Sequence, residues 1–422
     1  MEEKIALVTV FISSVLLASF FILPFDQLLG EDPYFHRDVT EFLVDHQSLP
    51  QNNLEEWSGE KPYAAYLTFK LKTYPQGFYF ILYPFHKILR FFSIFFSGLI
   101  SISIYLFLSK YSKEAGILGG ILVHTPNFTA HSILLLPETI GLISIPFILY
   151  LFERKYYLSG ILLGLLLYIH PFSAVIGCFG LIIMGGFKKE FKNLGIALGL
   201  SVLIALPYIA LIMGEKINVG YQLGVHLSLE IYTLKEYVKF FGILIVSPLF
   251  FYLSWKKKDY LSLIILSFLI VLSVVRVTRV PTERFFAYLS IFLAIIVAKR
   301  VVEINHLKIK YALIFSLIVI SFAQNYWIFG AIGPSTREVE SWEFLNESSL
   351  EEATVLGWDR YPQIFTVRRE IFFSKEAYKD YKGFDYVSPD ANVLVYKRAF
   401  LNSLKEDKIY DNKVGLWHID DS

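Results

Sequence analysis

Glu31 and Asp32 are adjacent carboxylates in the segment GEDPYFHRDVTEFLVDH, Gly30–His46. Such a pair binds a divalent cation through oxygen, or takes a proton from an acceptor hydroxyl as general base. Asp32 before Pro33 equally suits a helix N-cap, with proline at the first helical position, so capping is the competing use of that side chain. Phe35, Val39, Phe42 and Leu43 then share one helical face, and His36, Arg37, Asp38, Glu41 and Asp45 the other. That is the pattern of an amphipathic helix lying flat on a membrane, with His36 and Arg37 available to headgroups or to an acceptor. A further carboxylate, Glu138 in LPETIG, stands in the first turn of an apolar run just after His131. The helix dipole favours an acid there, yet a carboxylate entering a membrane helix is costly and is often functional. Arg276, Arg279 and Arg284, with Glu283, gather between two late apolar runs. Guanidinium groups hold phosphate through paired donors, whereas a scattered arginine only snorkels to the interface. His170-Pro171 ends another apolar run and reads as a capped helix end.

The elements that must position these groups are membrane helices. The chain has 422 residues, 55% hydrophobic and only 18% charged, against about 25% charged in a soluble domain. Apolar runs near the length that crosses a bilayer core recur along it, and backbone in lipid must be helical. Spans are expected near Ile5–Pro24, Phe91–Ser109, Ala115–Thr125, Pro137–Phe152, Tyr157–Pro171, Ser173–Phe187, Leu194–Met213, Tyr237–Trp255, Leu261–Val275, Phe285–Ala298 and Tyr311–Gly330. The fold class is therefore an all-α polytopic membrane protein of about eleven transmembrane helices. Ile5–Pro24 is long for a signal-peptide core and reads as a retained anchor. Tyr74–Leu89 is too short to span comfortably and reads as an interfacial or re-entrant helix leading into the second span. Lys110 and Lys113, then Arg154 and Lys155, then Lys188, Lys189 and Lys192, then Lys256–Lys258, then Lys299 to Lys310 fall in alternate loops. The positive-inside bias puts those loops in the cytoplasm, with the N-terminus inside and the C-terminus outside.

Residues 1–330 thus form a transmembrane domain of a multi-pass plasma-membrane protein, with residues 25–76 as its first outer loop. Residues 331–422 are more polar and form a small extracytoplasmic α/β domain. Its strands are expected at Thr354–Leu356 and Val393–Tyr396 and a short helix at Val339–Asn346. The net charge of +1 gives no footprint for nucleic acid, and the single cysteine, Cys178, excludes an internal disulfide. No Cys/His metal cluster exists.

With these positions laid out, the chain resembles the clan C glycosyltransferases (GT-C fold) and is most similar to the catalytic subunit of oligosaccharyltransferases. That family's acidic first-loop motif, D-P-W/Y-F/Y-x-x-R, is matched by Asp32-Pro33-Tyr34-Phe35-His36-Arg37. A YPxG-like approach to the second span matches Tyr74-Pro75-Gln76-Gly77, and Arg-Phe-x-x-Tyr matches Arg284-Phe285-Phe286-Ala287-Tyr288. The second acidic motif is matched by Glu138 alone. The tail segment Val355–Tyr361 is similar to the VLSWWDYG signature, with GWDRY in place of WWDYG. The resemblance implies the GT-C fold and a polyprenyl-phosphate or polyprenyl-pyrophosphate sugar donor, but not protein N-glycosylation. It implies transfer of a sugar to a glycan or protein acceptor on the outer face, in contact with membrane lipid and not with nucleic acid. Asp32, Glu31 and Glu138 would be catalytic, and Asp32 and Glu138 would hold Mg2+ or Mn2+. Arg276, Arg279 and Arg284 would bind the donor phosphate, and His36, Arg37, Trp358 and Asp359 would serve the acceptor. Two other classes fit the same residues: a transporter or flippase of lipid-linked sugars, and a non-catalytic subunit of a glycan-assembly complex. A transporter places its charged groups near the bilayer midplane and often shows repeats; here the charges gather at the outer interface and no repeat is visible.

Overall fold

The computed structural model describes residues 3–23, 28, 32–52, 57, 76–214, 241–266 and 282–325, and five strands beyond residue 350. The chain divides into two compact units, Met1–Leu29 with Pro75–Ile332, and Gly30–Tyr74 with Gly333–Ser422. The first long loop therefore groups with the tail, although about 260 residues separate them in sequence.

The first unit is helical throughout its described residues. Helix α1 (Glu3–Ile22) buries Ala6, Val10, Ser14, Leu17 and Phe21 and leaves Ile5, Val8, Ile12, Leu16 and Phe20 exposed at helical spacing. Such a two-sided apolar helix suits lipid on one flank and protein on the other. Helix α3 (Gly77–Leu82), which follows α2 of the second unit described below, passes through a 3-10 turn at Tyr83–Ile88 into α4 (Leu89–Ser109). The stretch expected as an interfacial or re-entrant helix leading into the second span is, from Gly77 on, continuous with that span.

The third expected span, Ala115–Thr125, falls on a short helix and ends where the chain breaks. Helix α5 (Lys113–Leu122) has ten residues, about 15 Å of rise, or half a bilayer core. The chain restarts at α6 (Pro126–Ile133), where Thr125 Oγ1 caps by accepting from Phe128 N and Pro126 takes the first helical position. Proline cannot continue the preceding ladder, which explains the break.

Helix α7 (Pro137–Leu167) covers the fourth and fifth expected spans as two arms that meet at Lys155, where φ −148 and ψ 72 leave helical space. It is followed by α8 (Pro171–Phe187), α9 (Phe191–Gly214), α10 (Ser247–Lys256), α11 (Thr282–Val302) and α12 (Leu307–Gln324). The described segments Glu3–Ile22, Gly77–Ser109, Phe191–Ala210 and Leu307–Gln324 are each long and apolar enough to cross a membrane. The chain is a multi-pass membrane protein.

Helix α11 is the centre of this unit. From Phe286 to Ala298 all its side chains are buried, and the main core packs it among residues of α4 to α8. A helix apolar on every side suits lipid or a protein interior, and here other helices enclose it.

Five basic loops meet at one end of the bundle. Glu153 accepts from both Lys110 and Lys188. Asp259 pairs with Lys299 at 2.5 Å and with Arg300 at 2.7 Å. Glu303 pairs with Arg300 and Lys257, and Glu114 with Lys310. Burial pulls Lys110 down to about 8, with Glu153 only partly restoring it. Burial alone would raise Glu153, but its two lysines hold it below the usual carboxylate range. The same dry surroundings raise the Tyr111 hydroxyl.

In the second unit, helix α2 (Asp32–His46) buries Val39, Phe42 and Leu43, with Trp57 packed edge-on to Phe42 at 5.3 Å. Beyond residue 350 a five-stranded sheet has the order β2-β1-β3-β5-β4. Its strands are β1 (Glu352–Leu356), β2 (Glu370–Phe373), β3 (Asn392–Val395), β4 (Lys408–Tyr410) and β5 (Leu416–Ile419). β1 runs parallel to both β2 and β3, and β5 is antiparallel to β3 and β4. The strands expected at Thr354–Leu356 and Val393–Tyr396 lie on β1 and β3; the helix expected at Val339–Asn346 lies outside the described residues.

Candidate functional site

The chemistry-bearing groups of the first unit lie at the end opposite the basic loops, here the distal end. Helix α7 runs from Glu138 down to Glu153 at the basic end, and α11 runs from Arg284 down to Arg300. Glu138 occupies the second position of α7, behind Pro137, and is only 2% exposed. His131, in the last turn of α6, brings Nδ1 to 3.6 Å from Glu138 Oε2, so the sequence neighbours are also spatial partners. That separation is too long for a hydrogen bond but short enough for an ion pair with a protonated ring. The turn between α6 and α7 is held by Thr139 Oγ1, which donates to Leu134 O at 3.1 Å.

One turn below Glu138, Gly141 abuts the start of α8. A Cβ at Gly141 would collide with Oγ and Cβ of Ser173 and stand 3.3 Å from Tyr288 Oη. Ser173 is wholly buried and lies 2.5 Å from both His170 Nδ1 and Tyr288 Oη. Tyr288, also wholly buried, reaches His170 Nδ1 at 3.4 Å. Phe172 packs edge-on to Tyr288 at 5.7 Å. Three helices, α7, α8 and α11, therefore converge on one hydroxyl–imidazole cluster. Arg284 sits on α11 one turn closer to the distal end than Tyr288, about 6 Å along the axis. The YPQG motif feeds the same region: Gly77 N–H donates to Tyr168 O at 2.8 Å, and a Cβ at Gly77 would stand 2.8 Å from that oxygen. Only glycine permits this close approach.

Beneath this cluster an apolar cavity of about 240 Å³ opens beside α11, lined in part by Phe241, Leu244, Pro248, Phe251, Leu289 and Leu293. Leu289 follows Tyr288 directly.

In the second unit, Asp32 begins α2, with Pro33 next. The expected solvated polar face of this helix is corrected by the structure: His36 is 2% exposed and Asp38 is fully buried. Arg37, Glu41 and Asp45 of the expected polar face keep exposure, so only His36 and Asp38 depart from it. Arg37 is spent locally, donating to Asp38 Oδ1 at 2.9 Å and approaching Glu41 at 3.7 Å.

Glu31, Arg276, Arg279, Trp358 and Asp359 lie outside the described residues, as do the side chains of Asp32 and Arg284. Of the expected site residues, the structure thus gives side-chain geometry for Glu138, His36 and Arg37. Among the described residues no three His, Cys, Asp or Glu side chains converge as a metal site. Sequence reasoning gave His170 no role beyond the cap and passed over Ser173. The signal was present: His-Pro-Phe-Ser at 170–173 has the spacing of a cap with its third-position partner, and Tyr288 stands four residues from Arg284.

No protein-family model matches the sequence, and no curated protein matches it either. Solved structures do. ArnT from Cupriavidus metallidurans in the apo state matches over 99% of this chain and 98% of its own, at TM-score 0.59 and 9% identity. The Archaeoglobus fulgidus oligosaccharyltransferase tethered with an acceptor peptide matches at TM-score 0.53 and 12% identity. It is covered over 64% of its length by 88% of this chain. Both are glycosyltransferases of the GT-C fold, and this chain has that fold, as its motifs implied.

Proposed function

We propose that the chain is a membrane glycosyltransferase that moves a sugar from a polyprenyl-phosphate or polyprenyl-pyrophosphate donor to an acceptor on the outer face. What carries this reading is Glu138, a carboxylate buried at the distal end of a GT-C bundle beside the helix that presents Arg284. A buried membrane carboxylate is expensive and is kept for function. Five basic loops gathered at the opposite end support an outward-facing distal end under the positive-inside bias.

In this reading the donor's lipid tail lies along the apolar cavity beside Leu289 and Leu293. Arg276, Arg279 and Arg284 hold the phosphate and stabilise the charge that develops on it as it leaves. Asp32, with Glu31, takes the proton of the acceptor hydroxyl. The acceptor oxygen bonds to the anomeric carbon with inversion, the bond from that carbon to the phosphate oxygen breaks, and the lipid phosphate keeps the electron pair. Glu138 orients the acceptor. Mg2+ or Mn2+ would take oxygen ligands from Asp32 and Glu138 and supply charge stabilisation. His36, Arg37, Trp358 and Asp359 belong to the unit that selects the acceptor.

The test is Asp32→Asn, assayed with purified protein and a polyprenyl-linked donor. Asparagine caps a helix as well as aspartate does, so α2 keeps its start while the charge is lost. The variant should insert and resist heat like wild type, yet transfer should fall about a hundredfold or more. Wild-type transfer would sink the mechanism and leave the fold standing.

A further inference from the structure

The basic end of the first unit holds more positive charge than its own carboxylates balance. Among the described residues, five cations (Lys110, Lys188, Lys257, Lys299 and Arg300) share three carboxylates, Glu153, Asp259 and Glu303. Two tyrosines knit these groups into one cluster. Lys110 Nζ lies 3.4 Å from Tyr260 Oη, which is 3.0 Å from Tyr111 Oη. Lys299 Nζ stands 4.1 Å from the centre of the Tyr111 ring, and Lys188 Nζ 5.9 Å from that of Tyr260. The surplus is not spread over the surface: the side chains of Lys110 and Lys299 are only 16% and 13% exposed. The charges of Lys188 and Lys299 add to burial in pulling Lys110 down. The positive-inside bias accounts for exposed lysines, but a sheltered cation without its counter-ion is costly. The imbalance calls for an anion from outside the chain.

The backbone beside the cluster points the same way. Lys189 and Lys258 have φ 60 and 53. Each follows a helix whose end is closed by the next residue: Glu190 N–H donates to Gly185 O at 2.9 Å, and Asp259 N–H to Ser254 O at 3.0 Å. Glycine usually fills that left-handed position. Any other side chain there costs more than the helix dipole returns to an exposed cation. Two lysines are thus kept, at a cost, next to Lys188 and Asp259. The cluster also reaches the lipid-facing flank. Phe187 is exposed and packs against Tyr260 at 5.9 Å between centroids, so an acyl chain lying on Phe187 would carry its headgroup to Lys188 and Tyr260.

We propose that this cluster binds the phosphate headgroup of an anionic phospholipid from the leaflet at the basic end, with Lys188 and Lys299 as its ligands. The site is separate from the distal chemistry and does not depend on the transfer reaction.

The test removes the surplus and spares the pairs. In Lys188→Gln with Lys299→Met, Glu153 keeps Lys110 and Asp259 keeps Arg300. Each protein is placed in nanodiscs of phosphatidylcholine alone and of phosphatidylcholine mixed with phosphatidylglycerol. Wild type should resist heat longer in the mixed discs and should retain phosphatidylglycerol through native mass spectrometry. The double variant should bind that lipid about tenfold more weakly or worse and gain no heat resistance from it. In phosphatidylcholine alone it should be at least as heat-resistant as wild type, because repulsion within the cluster is relieved. Should the double variant fail to fold, Lys188→Gln alone carries the binding measurement, since its lysine is the more exposed of the two. Lys4→Gln with Lys308→Gln removes the same charge from two exposed positions at this end and should behave as wild type. An equal loss in that control shows diffuse attraction only and overturns the site. Wild type that gains nothing from phosphatidylglycerol overturns it as well. A full gain from inorganic phosphate in the phosphatidylcholine discs assigns the cluster to a soluble anion and overturns the lipid.

Discussion

Gly141→Ala probes the junction of α7, α8 and α11 with a single methyl group. The new Cβ would collide with both Oγ and Cβ of Ser173. Turning the serine about χ1 relieves only the first collision, because its Cβ is fixed by the α8 backbone. The two helices must separate, and the hydrogen bonds from Ser173 to His170 and Tyr288 lengthen with them. Overpacking of this kind costs about 1–3 kcal/mol. Two hydrogen bonds, one buried and one partly buried, add about 0.5–1.5 kcal/mol each. The better helix propensity of alanine returns about 1 kcal/mol. The net loss is about 3 kcal/mol, a factor somewhat over a hundred in the folded ratio. Because membrane proteins of this size commonly unfold irreversibly, the measurement is the half-life of folded protein at fixed temperature, read by protease resistance. Gly199→Ala is the matched control, since a Cβ there meets nothing within 4 Å; it should be neutral or slightly stabilising. The double variant Gly141→Ala with Ser173→Gly removes the colliding atoms and should recover most of the packing loss. Equal half-lives for Gly141→Ala and Gly199→Ala would refute the junction, and with it the account of how α7 and α8 meet.

Two further outcomes are expected. Lys110 titrates near 8 in the folded protein against 10.5 in the unfolded chain. Between those values the unfolded chain holds more protons, so stability rises with pH; the penalty of holding the lysine charged is present in full below pH 8. Wild type should therefore gain stability relative to Lys110→Met between pH 8 and 10, and parallel curves would contradict the buried ammonium. For the site, Asp32→Cys with Glu138→Cys in a Cys178→Ser background leaves only the two introduced thiols. A short bis-maleimide should join them when donor is bound, and two thiols that never cross-link would show that the carboxylates act in separate places.

Much of the fold was legible because membrane helices are written in composition. The alternation of basic loops predicted one shared end, and Lys110, Glu153, Lys188, Asp259 and Arg300 do meet there. The breaks were harder. The expected third span stops at Thr125, where Pro126 does start a new helix, but that its ten helical residues leave about half a bilayer core uncrossed was not foreseen. Lys155 joins two arms with one non-helical residue where a polar loop was the natural expectation. For the site, Glu138 beside His131 could be read from adjacency. The tying of Ser173 to Tyr288 could not, because these residues are 115 positions apart and nothing local says that α8 and α11 touch. The polar face of α2 was misjudged for the same reason: periodicity marks His36 and Asp38 as polar, but not that other parts of the chain would cover them.

The enclosure of α11 also constrains how the protein is made. An apolar helix can rest in lipid alone, but α11 reaches its packed state, with Arg300 buried at its lower end, only among other helices. Of the helices packed around it, α4 to α8 and α10 are synthesised first and α12 after it. The earlier ones must wait as an incomplete ring whose inner faces have no partner until residue 282 onward arrives. Chains that stop before Thr282 would expose that unfilled slot to the quality-control machinery of the membrane, so the late helix acts as the keystone that turns a set of inserted segments into a finished protein.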